Sequence, residues 1–260
     1  MTTVTGKSGD DERPLFDVIE QQRAHEYVAE QIRRHIGLGI LAPGEALPPE
    51  RELVRLFGVG RATIQLAIGA LEAERLIETR RGRAGGSFVL APADRPGTLD
   101  FRVLEVAQSA DVIREAIDYR LVVEPAAAKA AALARTEEQL AGIGAAADRM
   151  SAAATDAEFM REDTAFHLAI ARASGNRFVV EAIERTRLRL NSVLALLPES
   201  PAWHDVSIDE HDGILAALGG GDADAAEALM REHVDRTARS MRTLLTSLAK
   251  KPSLGNPRNL

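Results

Sequence analysis

Apolar positions recur every three or four residues near the start of the chain, which is the spacing of one face of a helix. Ile64, Ile68 and Leu71 show this spacing most clearly. Pro49 suits the first position of a short helix, because that position needs no backbone N–H donor. The pattern predicts helices over 21–38, 49–57 and 61–74, with a tight turn at Gly58-Val59-Gly60 between the last two.

Two short runs of strand-forming residues follow these helices. Residues 76–80 and 87–90 predict two strands, and the glycine-rich loop between them, residues 81–86, predicts a hairpin. A helix, a helix–turn–helix and a β-hairpin in this order are the plan of a winged helix-turn-helix. That fold places one helix in the major groove of DNA.

The rest of the chain is helical in pattern. Abundant alanine and scarce aromatic residues favour closely packed helices over a β-rich fold. The expected helices cover 100–108, 110–134, 137–154, 157–173, 177–197, 203–218 and 223–248. Pro125 lies inside the second of them and is expected to kink it, because its ring removes a backbone hydrogen bond. The sequence therefore predicts a mainly α protein with a C-terminal all-α bundle.

Proline, glycine and polar residues mark the boundary between these two parts at 91–98 and are typical of a linker. The expected organisation has a winged helix-turn-helix domain at 17–90 and a helical domain at 99–249. Disordered tails are expected at 1–16 and 250–260.

Charge and composition narrow the possible functions. The 260-residue chain has a net charge of −7, but Arg80, Arg81 and Arg83 fall within four positions of the predicted hairpin. A local basic face matters more to DNA than the total charge. The lack of cysteine excludes disulfides, thiolate metal sites and cysteine nucleophiles. With no signal-peptide core and no stretch of about 18 apolar residues, a cytoplasmic protein without a membrane partner is expected.

The second helix of the predicted helix–turn–helix carries the candidate DNA-reading residues at its start. Arg61 can bond two acceptors of a guanine, Gln65 can do the same to an adenine, and Thr63 can meet a phosphate or a thymine methyl. Arginines of the preceding helix and of the hairpin would contact phosphates or enter the minor groove. The expected DNA-binding residues are Arg51, Gly60, Arg61, Thr63, Gln65, Arg81 and Arg83.

Four segments of this region resemble the GntR superfamily of bacterial regulators. They are Leu47–Leu53, Phe57–Arg61, Leu71–Ile77 and Arg81–Val89. The resemblance covers about residues 20 to 90 and implies a DNA-binding transcriptional regulator. The sequence departs from the family pattern at Pro49, where Ser or Ala is usual, at Gly60, where Ser or Thr is common, and at Gln65, where Arg is usual. Because glutamine prefers a different base edge, the last departure puts the common operator core in doubt.

Asp163 and His167 are candidate metal ligands, because residues four apart on one predicted helix share a face. His211 and His233 lie on two later helices, and only tertiary packing could bring them to the same place. From spacing alone, histidines with ordinary hydrogen bonds remain the favoured interpretation.

A second resemblance changes that balance. The C-terminal half is similar to the FCD effector domain of the FadR subfamily through Arg120–Glu124, Asp163–His167, Ala173–Asn176, Glu210–His211 and His233. It implies an antiparallel bundle, a homodimer on a pseudo-palindromic operator, and a divalent metal bound by Asp163, His167, His211 and His233. Zn, Ni, Mn and Fe all suit this ligand set. A small carboxylate effector could fill the open metal positions, and Arg120 would pair with the same or a second carboxylate or, within its own helix, with Glu124.

The combined expectation is a transcriptional regulator of the repressor type, not an enzyme, whose effector changes its affinity for an operator in double-stranded DNA. One alternative is a metal-dependent hydrolase, since a histidine-rich site can activate water. Glu162 and Glu210 adjoin the candidate ligands, but neighbouring residues on a helix point in different directions, so no base is expected beside the site. The other alternative is a metal-free bundle that only dimerises.

Overall fold

A computed structural model describes residues 24–82, 85–91, 106–194, 196 and 201–250 of the chain, without the side chains of residues 201, 202 and 250. The expected tail at 1–16, nearly all of the 91–98 linker, all but the first residue of the C-terminal tail, and Arg83 lie outside these residues. The expected helix over 100–108 is described only at 106–108, where it is helical. The domain boundaries therefore stay predictions.

The first three helices contain the expected helix–turn–helix. α1 spans Ala24–Gly37, α2 spans Glu50–Phe57 and α3 spans Arg61–Ala73. Gly58 ends α2 in the left-handed conformation, with φ of 64°, and its N–H donates to the carbonyl of Val54. The three predicted helices are confirmed, and the ends that lie within the described residues differ from the predicted ones by at most one residue.

Burial of one face of α3 fixes which residues face outward. Ile64 and Leu71 of α3 are fully buried in one cluster with Val28 of α1. Each such side chain contributes about 1.5–3 kcal/mol when it leaves water. Because a helix buries one face, Arg61 and Gln65 lie on the exposed face of the same helix.

The wing is the expected β-hairpin. β1 spans Ile77–Arg80 and β2 spans Gly86–Val89, and the two strands pair antiparallel with Ile77 opposite Val89. The guanidinium of Arg80 lies 4.6 Å from the ring centroid of Phe88, which is a cation–π contact. Gly82 has a φ of 113°, which only glycine adopts readily, and this residue starts the turn of the wing.

The C-terminal part is the expected antiparallel bundle. Its helices are α4 (Ala110–Ala134), α5 (Glu137–Ser151), α6 (Asp156–Ala173), α7 (Arg177–Leu194), α8 (Pro201–Gly220) and α9 (Ala223–Lys250). Asp118 of α4 binds Arg242 of α9, whereas Lys129, eleven residues further along α4, binds Asp224 near the start of α9. These two ion pairs show that α4 and α9 run in opposite directions. Pro125 lies inside α4, and the helix continues on both sides of it.

The two parts of the fold meet where α1 ends against α7. Leu38 is buried among apolar residues of the bundle, including Leu168 and Ile183. The side-chain amide of Asn191 donates to the carbonyl of Gly37 at 3.1 Å. The end of α1 is therefore held against α7 of the bundle.

Among the described helices, none alone combines the length and the apolar character of a membrane span. α2 and α3, which are bent by 111° relative to each other, reach the required length and apolar content only when they are taken together.

Substitution of Leu38 by alanine tests the joint between the two parts. We expect Leu38→Ala to lower the free energy of unfolding by about 2–5 kcal/mol, because it leaves a cavity at a buried site. Leu133→Ala, at a side chain that is 73% exposed, is the matched control and should change it by less than about 0.5 kcal/mol. Urea unfolding followed by circular dichroism measures both, and equal effects would contradict the buried joint.

Candidate DNA-reading surface and metal centre

The start of α3 presents the candidate DNA-reading residues to solvent. Arg61 is the first residue of α3, and its side chain is 76% exposed. Gly60 and Gln65 are also exposed, and Thr63 is half-buried. An arginine inside a core could not reach a duplex. The exposed position of Arg61 is compatible with its expected role in reading DNA.

Glu50 holds the side chains of this surface in the absence of DNA. Its Oε2 accepts from Nε of Arg61 at 3.1 Å and from Nε2 of Gln65 at 3.2 Å. The sequence analysis did not include Glu50. An acidic residue in the first turn of α2, next to the candidate Arg51, is the signal that could have found it. Arg61 donates to this carboxylate through Nε, so its Nη1 and Nη2 can still meet a base while Glu50 holds the side chain.

The other candidate DNA contacts are exposed but lie on different elements. Arg51 is in the first turn of α2, and Arg81 follows β1. Arg83 lies outside the described residues. The neighbouring Arg80 pairs with Glu78 of its own strand.

Four buried side chains of the bundle meet at one point between α6, α8 and α9. Asp163 and His167 come from α6, His211 comes from α8, and His233 comes from α9. One possible ligand atom from each lies within 4.8 Å of the other three. The structure therefore brings together the four residues that the resemblance implied as metal ligands, of which helical spacing had related only Asp163 and His167.

The spacing of these atoms fits a metal ion. Nε2 of His167 lies 3.3 Å from Nε2 of His211 and 3.2 Å from Nε2 of His233, and Oδ1 of Asp163 lies 3.6 Å and 3.5 Å from the first two. Ligands about 2.1 Å from a metal lie about 3.0 Å apart on adjacent octahedral corners and about 3.4 Å apart in a tetrahedron. Four of the six distances within the cluster match those between the ligands of one metal ion, so the cluster could hold one.

Two carboxylates orient the imidazoles from behind. Nδ1 of His167 lies 2.6 Å from Oε2 of Glu124, and Nδ1 of His233 lies 2.8 Å from Oε2 of Glu210. A carboxylate in this position keeps the imidazole proton on Nδ1, so Nε2 presents its lone pair. Nitrogen lone pairs that face one another repel unless a proton or a cation lies between them. The donor set therefore suits a cation.

Burial keeps two of the histidines neutral. It lowers the pKa of His233 from its ordinary value of 6.5 to about 4. Burial, together with the neighbouring His233, also lowers the pKa of His211 well below 6.5. Neutral imidazole is the form that binds metals, so both side chains are ready to act as ligands at neutral pH.

Arg187 keeps the side chain of Asp163 ionised. Burial alone would raise the pKa of Asp163, but Nη1 of Arg187 donates to its Oδ2 at 2.6 Å and holds that pKa well below 3.8. Oδ1 of the same carboxylate is the atom that faces the histidines. The sequence analysis missed Arg187, which lies on α7 and is fully buried.

The two alternatives for Arg120 can now be compared with its contacts. Its Nε donates to Oε1 of Glu124 at 2.9 Å, so the pair within α4 is present. Its Nη1 is buried without a hydrogen-bond partner. Contact with an effector through that atom stays a prediction.

Glu162 and Glu210 differ from each other in their relation to the site. Glu162 pairs with Arg149 and Arg161 and faces away from the histidines, as expected for a neighbour in sequence. The expectation was wrong for Glu210, which contacts His233 on the next helix and also binds Arg236. Despite burial, His233 and Arg236 lower the pKa of Glu210 to about 2. Glu210 is therefore held as a carboxylate and orients His233, a candidate metal ligand.

The fold and the site together are those of a DNA-binding transcriptional regulator with a C-terminal helical bundle. Residues 24–89 match the family described as bacterial regulatory proteins, gntR family, and residues 115–236 match the FCD domain. The chain belongs to the GntR family, with the FadR-like arrangement of an N-terminal helix-turn-helix and a C-terminal FCD domain.

Similar proteins are regulators and not enzymes. The chain is 32% identical over 222 residues to the Uxu operon transcriptional regulator of Escherichia coli K12, covering 82% of this chain and 85% of that protein. It is 28% identical over 236 residues to the HTH-type transcriptional repressor NanR of Cronobacter sakazakii, covering 86% and 85%. The structure of E. coli McbR/YncC, 19% identical with a TM-score of 0.52, covers 85% of this chain and 98% of that one and shows the fold alone.

The low pKa of His233 predicts how stability depends on pH. In the metal-free protein, we expect the free energy of unfolding to fall as pH is lowered from about 6.5 to about 4. Unfolded His233 takes up a proton near 6.5, whereas the folded protein resists protonation until about 4. His211 acts in the same direction.

Urea unfolding of chelator-treated protein across this pH range measures the effect. His233→Gln should reduce the slope of stability against pH relative to that of the parent chain. A slope that is the same in His233→Gln and the parent chain would show that His233 is not held neutral.

Proposed function

We propose that the chain is a transcriptional repressor whose affinity for an operator changes when a small carboxylate effector binds beside a divalent metal in the bundle. The observation that carries the proposal is the convergence of Asp163, His167, His211 and His233, all buried, in a chain whose α3 exposes its reading face. The similar protein NanR is a transcriptional repressor, which supports the mode of regulation.

The proposed DNA contacts divide by what each side chain can recognise. Arg61 and Gln65 read base edges in the major groove, and Thr63 meets a phosphate or a methyl group. Gly60 has no side chain, so the backbone at the start of α3 can approach the duplex closely. Arg51 and the wing arginines, Arg81 and Arg83, bind phosphates or enter the minor groove.

The proposed metal is Zn, Ni, Mn or Fe, all of which accept imidazole nitrogen and carboxylate oxygen. When bound, the ion supplies coordination positions that a carboxylate can fill. The protein's own residues supply the rest: Glu124 and Glu210 orient the imidazoles, and Arg187 orients Asp163.

Contacts at the end of α1 support a route from the bundle to the reading head. Thr164 adjoins Asp163 in α6, and the amide of Asn191 lies 3.4 Å from its hydroxyl. The same amide donates to the carbonyl of Gly37 in α1. A shift of α6 or α7 on effector binding would therefore move the end of α1.

The proposal includes a homodimer, because two identical reading heads match a pseudo-palindromic operator. α4 leaves Val112, Tyr119 and Val122 exposed, at spacings of seven and three residues along one side of the helix. Exposed apolar residues grouped in this way mark a contact surface, and a second copy of the chain is its proposed occupant.

Titration of small carboxylic acids into a mobility-shift assay with the natural promoter tests the regulatory claim. Regulation requires that at least one acid, or removal of the metal, changes operator affinity. If neither changes it, the sensing function fails. Turnover of an ester by the full chain would instead support the metal-dependent hydrolase that the sequence left as an alternative.

Arg61→Ala should weaken specific operator binding by a factor of about 5 to 150, since one bidentate base contact is worth about 1–3 kcal/mol. Fluorescence anisotropy with specific and random duplexes measures the loss. Arg55→Ala is the matched control, because Arg55 is a 74% exposed arginine of the neighbouring helix that pairs with Glu52. If Arg61→Ala binds its operator as well as the parent chain, α3 is not the reading helix.

His167→Ala should remove the metal, because His167 lies between the other two histidines. Elemental analysis of the purified parent chain should show about one divalent metal per chain, and the variant should retain less than about a tenth of that. His35→Ala, at an exposed histidine, should keep the metal. A parent chain free of metal would support the alternative of a bundle that only dimerises.

A further inference from the structure

Arg187 has more hydrogen-bonding capacity than its neighbours use. The side chain is 0% exposed, and only its Nη1 has a partner, Oδ2 of Asp163. Its Nε and Nη2 are buried without a hydrogen-bond partner, and Nε is 3.8 Å from Oε1 of Glu124, too far for a hydrogen bond. Buried donors of a charged group are costly to leave without an acceptor, so these atoms indicate a place for one.

Arg120 adds a third free donor close to the same carboxylate. Its Nε binds Oε1 of Glu124, the oxygen nearest to Nε of Arg187, and its Nη1 has no partner. Two guanidinium groups that are at most 2% exposed therefore meet at one glutamate with three N–H-bearing nitrogens unused. Planar guanidinium groups of this kind recognise carboxylates.

The charges at this point favour an anionic acceptor. Arg120 and Arg187 carry two positive charges, and Glu124 and Asp163 carry two negative charges, so these four groups balance. Glu162 and Glu210 are paired with arginines of their own. Imidazole binds a metal in its neutral form, so a divalent cation on the histidines adds two positive charges that these four groups do not compensate in a low-dielectric interior.

We propose that Arg187 and Arg120 form an anion subsite beside the metal cluster and that its ligand is a small dicarboxylate, with one acid group at the metal and the second at the guanidinium groups. The inference rests on the proposed function and narrows its effector from a carboxylate to a dianion. Arg187 is a binding residue that also positions Asp163.

Asp163 sets the size of the ligand. Its Oδ2 accepts from Arg187, and its Oδ1 lies 3.5–3.6 Å from Nε2 of His211 and His167. The metal cluster and Arg187 are thus separated by a single carboxyl group. A diacid with a chain of one to three carbons between its acid groups can contact both, whereas a second acid group on a long chain would pass beyond Arg187.

Calorimetric titration of the full chain, loaded with one equivalent of Zn²⁺, tests the subsite. The probes are malonate, succinate and glutarate, and the matched control is succinamate, in which an amide replaces one carboxylate of succinate. At least one of the three diacids should bind, and succinate should bind at least about tenfold more tightly than succinamate. Thermal unfolding under the same conditions should show a higher midpoint with the bound diacid.

Two variants assign the effect to Arg187. Arg187→Gln keeps a donor for Asp163 but removes the charge, and it should weaken binding of the diacid at least about tenfold at saturating Zn²⁺. Arg185→Gln changes an exposed arginine of the same helix and should bind as the parent chain does. If Arg187→Gln does not fold, Arg187→Lys keeps the charge without the planar fork and should reduce the preference for succinate over succinamate.

Four results would overturn the inference. They are equal binding of succinate and succinamate, unchanged binding by the Arg187 variants, no binding by any of the three diacids, and failure of Zn²⁺ to bind the parent chain. The first three would leave water as the partner of the free guanidinium donors. If diacids bind but operator affinity never responds, the subsite stands and regulation fails. If a monocarboxylate controls operator affinity and none of the three diacids binds, regulation stands and the subsite fails.

Discussion

The buried ion pair between Asp163 and Arg187 is the interaction on which the chemistry of the bundle depends. A carboxylate inside an alanine-rich core is stable only when a charge and hydrogen bonds compensate its lost hydration. Arg187 supplies both at Oδ2 and leaves Oδ1 facing the histidines. Glu124 and Glu210 act in the same way on the imidazoles. Because these residues come from five helices, the site exists only when the bundle is packed.

Local patterns predicted the elements well, because helical spacing and turn residues act over a few positions. The bounds of α4 agree with the periodicity at both ends, and Asp163 and His167 share a face because they are one turn apart. Glu124 and Glu210 orient histidines of other helices, which no spacing within one helix reveals. Arg187 did leave a signal: a charged residue on the apolar face that α7 forms with Ile183 and Leu190.

On the DNA side, Glu50 holds the two side chains that α3 presents to a duplex. Its carboxylate accepts from Nε of Arg61 and from Nε2 of Gln65. A guanidinium held through Nε still has Nη1 and Nη2 to offer to the two acceptors of a guanine. A side chain that is already held loses less conformational entropy when it binds a base, so Glu50 favours recognition by preorganising Arg61.

The proposed coupling needs only a small free energy. Arg187 and Asn191 are one turn apart on α7: the first binds a candidate metal ligand, and the second binds the end of α1. Allosteric coupling is typically about 1–3 kcal/mol, and one hydrogen bond contributes about 0.5–1.5 kcal/mol. A shift of α7 that breaks the bond from Asn191 to Gly37 and loosens Leu38 in the bundle therefore involves enough energy to change operator occupancy about tenfold.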